Sequence, residues 1–240
     1  MSTSKSNTPV PADHGDQSSR RQVEAFLDKV AAMPAPAAAS RGRLVFAMDA
    51  TMSRQPAWDR ALAIQADMFA EAGRIGGLDV QLVYFRGFGQ CQASRWVSQP
   101  ERLARLMSSV ECRGGNTQIG KVFSHIVREA RKSGVSAVVY VGDCMEENID
   151  KLCRKAGEIG LLGIPLFMFQ EGHDSAAGRA FKEFSRLTGG AYCRFDGSSP
   201  GQLRDLLRAV AAFASGGTKA LDALGGRNKA ARLLLGQMKS

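Results

Sequence analysis

Asp49, Thr51 and Ser53, spaced two apart, close an apolar run that begins at Arg43. A second aspartate, Asp143, ends another apolar run in "VGDCMEEN", and Thr117 follows the glycine pair of "RGGNTQIG". Three separate segments thus offer two carboxylates and three hydroxyls. These are hard oxygen donors of the kind that suit Mg2+ or Mn2+. A donor set so rich in neutral hydroxyls leaves a cation electron-poor and ready to take an acidic ligand from outside. Read singly, Ser53 also fits a helix cap ahead of Pro56, but capping explains neither Thr117 nor Asp143.

Donors this far apart need a scaffold that carries them to one rim. Short apolar runs at 43–48, 80–85, 136–141, 164–169 and 191–195 alternate with segments of helical period at 56–75, 117–132, 176–187 and 203–213. Near-continuous apolarity in the strands predicts a mainly parallel sheet with helices on both faces, a doubly wound α/β domain. "SRWVS" at 94–98 reads as a short edge strand in a hairpin with 80–85. In such a sheet, ligands gather beyond the carboxyl ends of the strands, where the strand order reverses. Asp49 and Asp143 fall at two such ends. The pair Gly114-Gly115 is expected to let the backbone turn tightly so that Thr117 reaches the same rim.

The chain has 240 residues, 44% of them hydrophobic, enough for one sizeable core. Residues 1–41, rich in Ser, Pro and Ala, read as a tail with one short amphipathic helix carrying Val23, Phe26, Leu27 and Val30. Residues 42–215 read as the domain, and 216–240 as a basic tail with short helices, set off by Gly216-Gly217. The net charge of +9 is spread along the chain without a basic run interleaved with aromatics, which argues against nucleic acid as the partner. The sequence contains no apolar stretch long enough for a membrane span and no secretory signal at its start, and its five scattered cysteines suit neither a disulfide framework nor a Cys-x-x-Cys zinc site. A cytoplasmic protein with reduced thiols is expected. Cys144 lies among acidic neighbours, without a histidine near it in sequence, and does not read as an activated nucleophile. His14, His125 and His173 have no ligand spacing, and "GFGQCQ" is too short for a dinucleotide loop.

With these residues in order, the chain resembles a von Willebrand factor A (VWA) domain with a metal-ion-dependent adhesion site (MIDAS), of the stand-alone bacterial type. That pattern is Asp-x-Ser-x-Ser after the first strand, a Thr from a Gly-rich loop and an Asp after the fourth strand. Asp49, Thr51 (for the first Ser), Ser53, Thr117 and Asp143 follow it. The resemblance implies that Thr51 and Ser53 bind Mg2+ (or Mn2+) directly, that Asp49 and Asp143 act mainly through water, and that Thr117 alternates between the two modes. It also implies a cytoplasmic protein-interaction module, not an enzyme, that grips an Asp or Glu of a partner such as a chaperone or ATPase, in complex assembly or regulation. The alternative is a haloacid-dehalogenase-like phosphotransferase with Asp49 as nucleophile, Asp143 on the magnesium and Lys121 or Lys132 as the required cation. Met52, where that family has Gly, and Cys144, after the second aspartate, depart from it. A metal-free scaffold is a third reading.

Overall fold

Six strands form one sheet in the order β3-β2-β1-β4-β5-β6. They are β1 (Gly42–Asp49), β2 (Leu78–Arg86), β3 (Gln90–Ala93), β4 (Ala137–Gly142), β5 (Leu166–Glu171) and β6 (Ala191–Phe195). All neighbours are parallel except β3, which runs antiparallel to β2 at the edge. The structure is a computed structural model that describes residues 24–26, 28, 29, 41–195 and 200–225.

The alternation of side chains explains why the strands are apolar on both faces. Leu44, Phe46 and Met48 of β1, with Val139 and Val141 of β4, point to one side. There they meet α1 (Gln55–Gly73) and α6 (Pro200–Gly225) through Ile64, Met68, Leu207, Val210 and Phe213. Val45, Ala47, Val138 and Tyr140 point to the other side, against α3 (Ile119–Ser133), α4 (Ile149–Leu161) and α5 (Ser175–Leu187). Ile119, Phe123, Leu152, Phe181 and Phe184 fill that layer. Each such large side chain contributes about 1.5–3 kcal/mol on burial. Both faces are covered, so a polar residue within a strand needs a specific reason.

The structure differs from the sequence reading in three places. The ladder partner of β2 is Gln90–Ala93, just ahead of the expected stretch, whereas 94–98 adds the Ser94 N–H bond to the Leu82 oxygen at 2.8 Å and the bridge of Val97 to Val80. Gly87 and Gly89, both at positive φ, supply the sharp turn that pulls the strand forward. Two helices were not anticipated: α2 (Pro100–Ser108), which buries only Leu103 and Met107, and α4, whose inner face is Leu152, Ala156 and Ile159. Helix α6 extends beyond 213 to Gly225, with a break at Gly217 where φ is 65°. Of the N-terminal amphipathic face, Phe26 is described and buried, edge-on to Phe167 and Phe169 at ring-centroid distances of 5.8 and 5.3 Å. Val23, Leu27 and Val30 lie outside the described residues.

Candidate metal centre

The strand order reverses between β1 and β4, the adjacent strands whose connections run to opposite sides. Their register pairs Met48 with Val141. One step further along β1 stands Asp49, and two residues beyond Val141, just past the end of β4, stands Asp143, so the sheet itself brings the two acids together. A carboxylate oxygen of each lies within 4.8 Å of the other and of Cys144 Sγ.

Asp49 is 1% exposed. Its Oδ1 accepts the Thr51 N–H at 2.7 Å, while its Oδ2 is buried with no hydrogen-bond partner. Burial pushes its pKa up to about 6; the Thr51 hydrogen bonds and Arg54 oppose the shift and the charge of Asp143 adds to it. Asp143 presents Oδ2 to Arg54 Nη1 at 3.7 Å, and its Oδ1 is again buried and unpartnered. Two orphaned, buried carboxylate oxygens on acids that approach within 4.8 Å of each other are costly unless a cation satisfies them. The donors present therefore fit a divalent metal.

The hydroxyls are arranged less uniformly. Thr51 is buried at the start of a short 3-10 turn, Met52–Arg54, and its side chain lies against Asp49. Ser53 is exposed on that turn, and helix α1 is capped at Arg54 without a side-chain hydrogen bond, so Ser53 does not serve as a cap. Thr117 is buried and clasped to the loop after β4: its N–H donates to Glu146 Oε2 at 3.0 Å, and its Oγ1 accepts the Glu146 N–H at 3.1 Å. Thr117 is thus held against the loop that carries Asp143, and the N-cap of α3 is Gln118, not Thr117. The glycine before it is needed for close approach and not for a turn: a Cβ on Gly115 would stand 2.2 Å from the Gly87 oxygen, and neither Gly114 nor Gly115 has positive φ.

Three residues of the site escaped the sequence reading. Arg54, almost wholly buried, lies between Asp143 and Glu171, with Nη1 2.6 Å from Glu171 Oε2, and Arg60 pairs with the same glutamate. Its Nε and Nη2 have no partner. Glu146 clasps Thr117, and Glu147 accepts the N–H groups of Ile119 and, at 3.0 Å, Gly120, capping α3 with negative charge at its N-terminus. The one local signal was the acidic "EEN" after Asp143, which also holds Asn148, the N-cap of α4. Burial, and then Asp143, push the Cys144 thiol up to about 12, so it is not a poised nucleophile.

The sequence matches no family model and no curated protein. Solved structures do match. A von Willebrand factor type A protein from Catenulispora acidiphila superposes with a TM-score of 0.60 at 12% identity, over 72% of this chain and 43% of that one. The SpRpn10 VWA domain gives 0.54 at 14%, over 70% of this chain and 94% of that domain. The fold is that of a VWA domain. A third match is proximal thread matrix protein 1 of the mussel byssus, solved with a zinc-occupied MIDAS motif, at 0.56 and 13% over 72% of this chain and 48% of that one. This VWA fold therefore spans less than half the length of two of these three chains.

In this fold the cations named for the phosphotransferase alternative are engaged elsewhere or distant. Lys121 Nζ donates to the Gly89 oxygen at 2.6 Å. Lys132 is exposed in the last turn of α3, beside the start of β1 and away from Asp49. Among the described residues no helix is long and apolar enough to cross a membrane.

Proposed function

We propose that this VWA domain is a metal-dependent protein-interaction module, in which Asp49, Thr51, Ser53, Thr117 and Asp143 hold a divalent cation at the sheet's carboxyl rim. When bound, such a cation supplies an open coordination position for a carboxylate from a partner. The observation that carries the reading is the pair of buried, unpartnered oxygens, Asp49 Oδ2 and Asp143 Oδ1, on adjacent strand ends at the topological switch. Oxygen donors of this type suit Mg2+ or Mn2+.

The surroundings support a protein as the partner. Met52, on the turn between Thr51 and Ser53, is 64% exposed, and Phe88, on the β2–β3 turn, is 88% exposed. That turn abuts the Thr117 loop through Gly87 and Gly115. Exposed apolar side chains around a charged centre are what a docking surface with one strong polar anchor needs. The partner is accordingly a protein with an exposed Asp or Glu beside apolar residues, and the module binds it without catalysis, in complex assembly or regulation. Five free cysteines agree with a cytoplasmic setting.

An array of peptide pairs differing only by Asp for Asn, or Glu for Gln, tests the reading. Binding should be confined to the acidic member, require a divalent metal, and vanish in Asp143→Asn. Equal binding in chelator, or to both members of each pair, would refute it. Magnesium-dependent turnover of aryl phosphates, lost in Asp49→Asn, would establish phosphotransfer instead.

A further inference from the structure

One side chain at the rim has no place among the oxygen donors. Cys144 Sγ lies within 4.8 Å of a carboxylate oxygen of both Asp49 and Asp143. Each acid has one oxygen engaged, Asp49 Oδ1 by Thr51 N–H and Asp143 Oδ2 by Arg54, and leaves the other buried and unpartnered. The remaining acids of the loop are committed elsewhere, Glu146 to Thr117 and Glu147 to the α3 N-terminus. Cys112 and Cys193 belong to one apolar cluster, and Cys91 and Cys153 pack against the other. Cys144 is in neither.

We propose that Cys144 is a direct ligand of the cation, bound as a thiolate with its proton passed to solvent, and that it makes the site prefer zinc to magnesium. The proposal rests on the metal-site reading above. Thiolate is a soft donor that zinc accepts alongside carboxylate oxygen, whereas magnesium demands oxygen in near-octahedral geometry. With Zn–S of about 2.3 Å and Zn–O of about 2.0–2.2 Å, tetrahedral ligand atoms stand roughly 3.5 Å apart, a modest closure from the present spacing. With zinc, Asp49, Asp143 and Cys144 would fill three positions in place of the hydroxyls that would serve magnesium, and leave the fourth for water or an incoming carboxylate.

Calorimetric titration of the full chain with Zn2+ and with Mg2+, and absorption of its Co2+ complex, provide the test. Wild type should bind Zn2+ at least tenfold more tightly than Mg2+ and show a thiolate-to-cobalt charge-transfer band. Cys144→Ser and Cys144→Ala should lose that band and at least tenfold in Zn2+ affinity while holding Mg2+ within about twofold. Asp49→Asn should lose both metals, which excludes the other four thiols as the source of the band. Equal Zn2+ binding in wild type and both Cys144 variants, with binding still lost in Asp49→Asn, overturns the cysteine ligand and leaves the site standing. Zinc binding unchanged in Asp49→Asn, or no metal bound by wild type, removes the site and the proposal together.

Discussion

Asp49→Asn should make the metal-free protein more stable. The carboxyl of Asp49 is held near pKa 6 in the fold, against 3.8 for the ordinary value, chiefly by burial. The folded chain therefore binds this proton more tightly than the unfolded chain does, and stability falls as pH rises from about 4 to about 6 and stays low above. A rise of about two units corresponds to roughly 3 kcal/mol at neutral pH. Asparagine keeps an oxygen for the Thr51 N–H, removes the buried charge and relieves its repulsion with Asp143. For a domain of this size that gain is about 6–12 °C in Tm. Thermal melts from pH 4 to 8, in chelator and in divalent metal, supply the assay. In chelator, wild type should lose stability up to about pH 6 and level off above, while Asp49→Asn stays flat and melts higher at pH 7.5. In metal, wild type should recover by about 2.7 kcal/mol at a hundredfold excess over Kd, and the variant should gain nothing. A variant that melts below wild type in chelator throughout, or a wild type with no decline between pH 4 and 6, would refute the reasoning that Asp49 is a buried charge awaiting a cation.

Thr117→Ala should cost about 1 kcal/mol, the loss of one hydrogen bond to the Glu146 N–H, yet weaken metal-dependent capture of acidic peptides much more; melts and peptide titrations separate the two effects. Phe88→Ser should leave stability within about 0.5 kcal/mol and lower partner affinity more than about tenfold, as read by titration of any acidic peptide that binds wild type. Arg54→Met leaves Asp143 and Glu171 without their shared buried cation and should destabilise the metal-free chain by about 3 kcal/mol. The same variant should bind the divalent metal more tightly, because a positive charge beside the site is gone, and calorimetry reads that sign directly.

Much of the scaffold was legible because a parallel sheet covered on both faces writes itself as apolar runs. Leu44 to Met48 and Val138 to Val141 are buried on alternate sides, so Asp49 and Asp143 stood out as polar interruptions at their ends. Helices α2 and α4 were less legible for the opposite reason. Their inner faces hold two or three residues each, with Ala156 among them, and produce little periodicity. At the site, residue type marked Asp49, Thr51 and Asp143, whose positions follow from the backbone path alone. It did not mark Arg54, whose partner Glu171 is 117 positions away in the chain, or Glu146 and Glu147, which act on Thr117 and on the α3 N-terminus nearly 30 residues earlier. Gly115 was singled out for the wrong cause: it admits the Gly87 backbone, a contact that local turn rules do not encode. Cys144 was set aside as a weak nucleophile, and its nearness to Asp49 as well as to its neighbour Asp143 emerged only from the register of β1 with β4.

The central claim is that a divalent cation sits between the carboxyl ends of β1 and β4. Anomalous diffraction from crystals of the full chain grown with Mn2+ tests it most directly. The account predicts one strong anomalous peak bounded by Asp49, Thr51 and Asp143, absent from crystals of Asp49→Asn grown in the same way. A map with no peak there, or one in which Arg54 fills the space between the two aspartates while manganese binds elsewhere, would contradict it.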